Sequence, residues 1–280
     1  MFFMRSKEKV LKMIWEVEKD GKKSFLVGTA HFFPHSFRTS LSRYIKHART
    51  VLFEGPLDKD SMARVVNAGL EEDNTSHVFD ELDTKTIDRI TRALDPPGRD
   101  RFPFLFFHIR PEDTENRVSA MIKGMKPWMA FFTIWTKFLE KKGWRHSVDL
   151  EAYHIAVEMG KNVVFLETIE EQIQVLEGLS HEKIVDFLKR VDRWDTYAQQ
   201  YLESYLDGDL EKLRSMRGVF PTRYSSTIEQ RDRIFYERML PYLEEGDAVV
   251  FVGAPHIRGI SRMLRADGYQ TQGKCPSLED

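Results

Sequence analysis

Cysteine is nearly absent from this chain of 280 residues: Cys275 is the single one. One thiol makes no internal disulfide and no cysteine zinc site, and it fits a reducing compartment. Excess charge of either sign is also missing. Lys and Arg total 42 against 44 Asp and Glu, for a formal charge of −2. No global field therefore recruits nucleic acid or an anionic membrane. Long apolar runs are lacking too. Met1 to Met13 is broken by Arg5, Lys7, Glu8, Lys9 and Lys12, unlike a signal peptide. The most apolar helical stretch, Trp128 to Leu139, is far short of the roughly 20 residues that span a bilayer. The expectation is a soluble, cytoplasmic protein with neither membrane nor nucleic-acid partners. At 41 % hydrophobic and 31 % charged, the chain has ample material for a packed core.

What is present is a short motif used twice. Phe25-Leu26-Val27-Gly28-Thr29-Ala30-His31 and Val249-Val250-Phe251-Val252-Gly253-Ala254-Pro255-His256 are both apolar runs ending in Gly-x-x-His. Each run reads as a buried strand, and the glycine lets the chain turn where the strand stops. Two further runs end alike, in Glu54 after Thr50 to Phe53 and in Glu167 after Asn162 to Leu166. A parallel sheet gathers such residues at the carboxyl ends of its strands, where open α/β sheets bind ligands.

Around these runs the chain predicts an α/β fold, with a mixed, largely parallel β-sheet flanked by helices and a helical middle subdomain. Asp20-Gly21 marks a hairpin between strands Val10 to Val17 and Ser24 to Thr29. Helices are expected over 36–49, 58–68, from Asp83 or Thr84 to Pro96-Pro97-Gly98, from an Asp149 cap to Met159, over 181–206 as one helix or two, over 227–243 and over 259–266. Thr168 and Glu171 form a capping box, and 269–271 adds an edge strand. The whole reads as one domain, 1–280, made of a first α/β half (1–82), a helical insert (83–146) and a second α/β half (147–280). The Phe-, Trp- and Met-rich stretch 101–141 reads first as helix packing. A groove, a lid or the surface of a homodimer are its other uses.

His31, Glu54 and His256 are ligand types for a divalent ion of the Mn, Co or Zn class. Such an ion lowers the pKa of its water and polarises a carbonyl. Without metal the same groups serve as general base and acid. A lone His or Glu after a strand is commonly a hydrogen-bonded structural residue, and Glu167 before Thr168 also suits a helix cap. The shared setting of the two histidines points to joint use. His35 follows Phe33-Pro34, which interrupts a helix, so it ranks as a supporting residue at most. Of Arg231, Arg233 and Arg238, one is expected to reach the site, for a substrate carboxylate or an oxyanion.

In order and spacing, these residues resemble the TraB/PrgY/GumN family, also called TIKI-type hydrolases. The resemblance runs through Trp15-Glu16-Val17, Gly28-Thr29-Ala30-His31, Leu52-Phe53-Glu54, Lys126-Pro127-Trp128 and Ser147-Val148-Asp149. It continues through Leu166-Glu167-Thr168, Glu171-Gln172, Arg231-Asp232 and Gly253-Ala254-Pro255-His256. It implies an α/β core related to the erythromycin-esterase and haem-binding ChaN-like group. TIKI members are described as metal-dependent proteases acting on Wnt proteins, and PrgY members act against peptide pheromones. Carried over, the resemblance implies a metal-dependent hydrolase, peptidase-like, acting on a peptide or small-molecule substrate. His31, Glu54 and His256 become metal ligands or catalytic groups, with Glu167, Asp149 and Arg231 beside them. The alternatives are a haem or peptide binder of the ChaN-like kind and a metal-free esterase with His31 as base. The chain departs from the family at Ala254-Pro255, where Gly is common, at Ser147, also commonly Gly, and at Asp232, commonly Asn.

Overall fold

The computed structural model describes residues 9–70, 78, 80–94, 117–216, 218–223 and 225–273. The Pro96-Pro97-Gly98 stop, the aromatic stretch 101–116 and Cys275 lie outside them.

The chain opens with a hairpin of β1 (Ile14–Lys19) and β2 (Lys22–Thr29). Its two turn residues, Asp20 and Gly21, both have positive φ, 52° and 75°, the twist that suits a two-residue hairpin. That turn fixes the register Lys19↔Lys22. The strand therefore starts later than expected and runs on through Glu16, Glu18 and Lys19, while Leu11 and Met13 are buried ahead of it.

Next come α1 (Arg38–His47), β3 (Thr50–Phe53) and α2 (Lys59–Ala68). The helical middle holds α3 (Thr84–Leu94), α4 (Arg117–Ile122) and α5 (Pro127–Lys141). Then follow α6 (Val148–Glu158), β4 (Asn162–Phe165) and α7 (Ile169–Glu177). The expected helix over 181–206 is a pair, α8 (His181–Lys189) and α9 (Trp194–Asp207), joined by a 3-10 turn. A short helix absent from the sequence reading, α10 (Leu210–Ser215), comes next. The chain closes with α11 (Ser225–Glu245), β5 (Ala248–Gly253), α12 (Ile257–Ala266) and β6 (Gln270–Gly273).

The six strands form one sheet in the order β4-β3-β5-β2-β1-β6. The four from β4 to β2 are parallel, and β1 pairs antiparallel with both β2 and β6. Both faces of the parallel part are covered, as such sheets require. Along β5 the side chains alternate accordingly: Val249 and Phe251 enter one core, Val250 and Val252 the other. The second core is closed by Phe235, Met239 and Leu243 of α11 and by Ile257, Ile260 and Leu264 of α12. The first and larger core takes in the helical middle. There Trp135 meets Phe187, Trp194 and Phe220 at ring distances of 5.2, 5.8 and 5.6 Å. The aromatic density between 127 and 141 is thus core packing, the plainer of the uses considered for it.

The helix starts obey local chemistry. Thr168 and Glu171 do form a capping box on α7. The cap of α6, however, is Ser147, whose Oγ accepts from Leu150 N–H at 3.3 Å. Asp149, read as that cap, sits inside the first turn with its carboxylate turned elsewhere.

Candidate functional site

Four strands running the same way bring their carboxyl ends to one edge, so His31, Glu54, Glu167 and His256 follow β2, β3, β4 and β5 on that edge. The ladder between β3 and β4 continues one step past the strands, with Glu167 N–H donating to Glu54 C=O at 2.7 Å. The two glutamates are thereby neighbours.

The loop after β2 is clamped to the start of α6. Val148 N–H donates to Ala30 C=O at 3.0 Å, and Phe33 and His146 exchange backbone bonds at 2.8 and 3.0 Å. This pairing brings Asp149 to His31 across 118 residues. Asp149 Oδ2 accepts from His31 Nδ1 at 2.6 Å, and Asp149 Oδ1 accepts from Ser147 Oγ at 2.6 Å. A carboxylate only accepts, so His31 Nδ1 carries the proton and Nε2 is left for chemistry. The Asp149 side chain is 10 % exposed and the His31 ring 67 %. The Asp149 charge lifts His31 to about 9. Burial pushes Asp149 upward, but His31 and Ser147 outweigh it and hold the acid below its ordinary value.

His256 repeats the device from the other end of the chain. It closes a 3-10 turn, Ala254–His256, directly after β5. Its Nδ1 donates to Asp232 Oδ1 at 2.6 Å, with both side chains 6 % exposed. The ring stands edge-on to Phe235 at 5.1 Å. Asp232, Phe235 and Arg231 all belong to α11. Gly259, in the first turn of α12, leaves the space Asp232 needs, since a Cβ there would overlap Asp232 Oδ2.

Arg231 lies between the two halves. Its Nε and Nη2 donate to the two oxygens of Glu167 at 3.1 and 2.6 Å. Nη2 also donates to Glu54 Oε2 at 3.0 Å, and Nη1 stands 3.4 Å from His256 Nε2. The other oxygen of Glu54 accepts from Gly253 N–H at 2.6 Å and lies 3.6 Å from His256 Nε2. Burial pushes Glu54 up, but the Arg231, His256 and His31 charges and the Gly253 N–H hold it below its ordinary value. Glu167 goes the other way, because its burial outweighs the pull of Arg231. Burial opposes the guanidinium's charge, yet the two glutamates fix it more firmly protonated than usual. Arg238 instead pairs with Glu171 and Leu166 C=O, at 2.7 Å in each case.

His31, Glu54, Asp149 and Gln172 line a small open cleft together with Phe53 and Phe251. Those two rings stack at 5.2 Å. Of the other histidines, His154 is exposed, His35 packs against Phe33, and His181 pairs with Glu81. His146, which had no supporting context in the sequence, bonds Glu151 at 2.9 Å. Sequence reasoning passed over Asp232 as a mere departure, though its side chain sets the orientation of His256.

The metal implied by the resemblance fits this donor set poorly. Among the described residues no three His, Cys, Asp or Glu side chains are grouped to hold an ion. His31 shares the cleft with Glu54, while a fixed cation, Arg231, is already placed against Glu54 and His256.

The molecule is thus an α/β protein with two histidine–aspartate pairs and an arginine–glutamate cluster on the carboxyl edge of a largely parallel sheet. It belongs to the TraB/PrgY/gumN family, whose sequence pattern matches residues 13–272, nearly the whole chain. No curated protein and no solved structure matches it. Among the described residues no helix is long and apolar enough to cross a membrane.

Proposed function

We propose that this chain is a hydrolase acting on a peptide or ester carbonyl, with the His31–Asp149 pair as its acid–base group. The observation that carries the reading is that pair: a 2.6 Å bond on Nδ1 and a ring 67 % exposed beside the cleft. Asp149 fixes the tautomer and stabilises the imidazolium that forms on catalysis, as a buried acid does for a histidine base. His31 Nε2 takes a proton from water, and the hydroxide adds to the carbonyl carbon. The imidazolium then returns the proton to the departing amine or alkoxide. Glu54, Glu167, Arg231 and His256 form the charged wall beside this step. Arg231 supplies the fixed positive charge of that wall, behind Glu54.

The test is a screen of peptide and activated ester substrates in excess chelator. Turnover is expected to persist in chelator and to vanish in His31→Ala. Loss of turnover in chelator with recovery on adding Mn, Co or Zn overturns the reading in favour of metal-dependent hydrolysis. Full activity in His31→Ala overturns the assignment of the base.

A further inference from the structure

We infer that Arg231 is the resident cation of this site, its guanidinium held by Glu54, Glu167 and His256 so that a divalent ion finds no place among them. The three acceptors come from the ends of three different strands, β3, β4 and β5, and they meet on one side chain of α11. Glu167 binds the guanidinium through both oxygens, at 3.1 and 2.6 Å, Glu54 at 3.0 Å, and His256 Nε2 lies 3.4 Å away. Side-chain exposure is 18 % for Arg231, 13 % for Glu54, 2 % for Glu167 and 6 % for His256. These charges are therefore little screened by water, and two glutamates without a cation would not be tolerated here.

The spacing of the acceptors is what makes the arginine's role specific. Ligands on a tetrahedral ion, each at about 2.1 Å, stand roughly 3.4 Å apart. Glu54 Oε1 and His256 Nε2 are 3.6 Å apart. The pair is thus set at ligand spacing, but Arg231 Nη1 faces the same imidazole nitrogen and Nη2 holds the same carboxylate. An ion between them would stand in contact with a guanidinium, and two cations at that distance repel strongly in a buried site. Asp232 completes the arrangement: by holding Nδ1 of His256 it fixes the ring with Nε2 toward Arg231.

Titration calorimetry of the full chain with Mn, Co or Zn chloride decides this, whether or not a substrate is found. Wild type is expected to show no site that Glu54→Gln removes. Arg231→Ala, with Glu54, Glu167 and His256 released, is expected to bind one ion. Methylguanidinium at saturating concentration should weaken that binding at least tenfold by refilling the place of the side chain. Should Arg231→Ala fail to fold by circular dichroism, Arg231→Gln, which keeps amide donors without the charge, takes its place with the same expectation. A wild-type site for one ion that is lost in both Glu54→Gln and His256→Ala overturns the inference. So does a folded Arg231 variant that takes up no ion.

Discussion

Replacing Asp149 by Asn removes one negative charge and leaves the shape of the side chain intact. In the wild type that charge lifts His31 to about 9, so only about 1 % of the ring is free base at pH 7. The profile of kcat/KM should therefore rise with pH and level off only near 9. An adjacent opposite charge shifts a titrating group by roughly 1–3 units. Solvent around a ring that is 67 % exposed screens the pair, so the lower part, about 1–2 units, is expected here. In Asp149→Asn the rising limb should move down to about pH 7–8. On the plateau the variant should be slower by ~10²- to 10⁴-fold, because the ring loses both the fixed tautomer and the stabilised imidazolium. Stability must follow the same linkage. A group raised in the folded state stabilises fully below its unfolded value near 6.5, and that gain fades as pH rises through about 9. The gap in Tm between wild type and Asp149→Asn should therefore be widest near pH 6 and shrink toward pH 10. A limb that stays in place while activity falls would refute the reasoning and leave Asp149 a packing residue only.

Two further substitutions probe how the site is held. Gly259→Ala drives a Cβ into Asp232 Oδ2, so it should cost about 1–3 kcal/mol of unfolding free energy and release His256 Nδ1. Urea melts read the first effect, and the downfield imidazole proton resonance of His256 reads the second; an unchanged resonance would mean that Asp232 moves aside freely. Thr168→Ala removes the capping box of α7 and should cost about 1 kcal/mol in thermal melts. Because Glu167 precedes that cap, activity should fall by more than stability alone explains if the α7 start positions it.

Much of this molecule was legible in its residues. The four apolar runs became β2, β3, β4 and β5, with β3 and β5 buried on both faces of a covered parallel sheet and β4 half-buried at its edge. Parallel strands share a direction, so their carboxyl ends share an edge, and His31, Glu54, Glu167 and His256 had to meet there. The capping box of α7 and the Asp20-Gly21 turn were equally readable, since both are decided within four residues. What each of those four side chains does was not local. Asp149 looks in sequence like a helix cap, and Ser147 took that place because its hydroxyl reaches Leu150 N–H. The pairing of the Ala30–Phe33 loop with His146–Val148 then turned Asp149 onto His31. Asp232 looks like a substitution of small consequence, and only the packing of α11 against α12, with Gly259 giving way, sets it on His256. A strand end by itself determines where a side chain stands. Which partner satisfies it depends on groups 24 to 199 residues away, and only the packed tertiary structure brings those within hydrogen-bond reach.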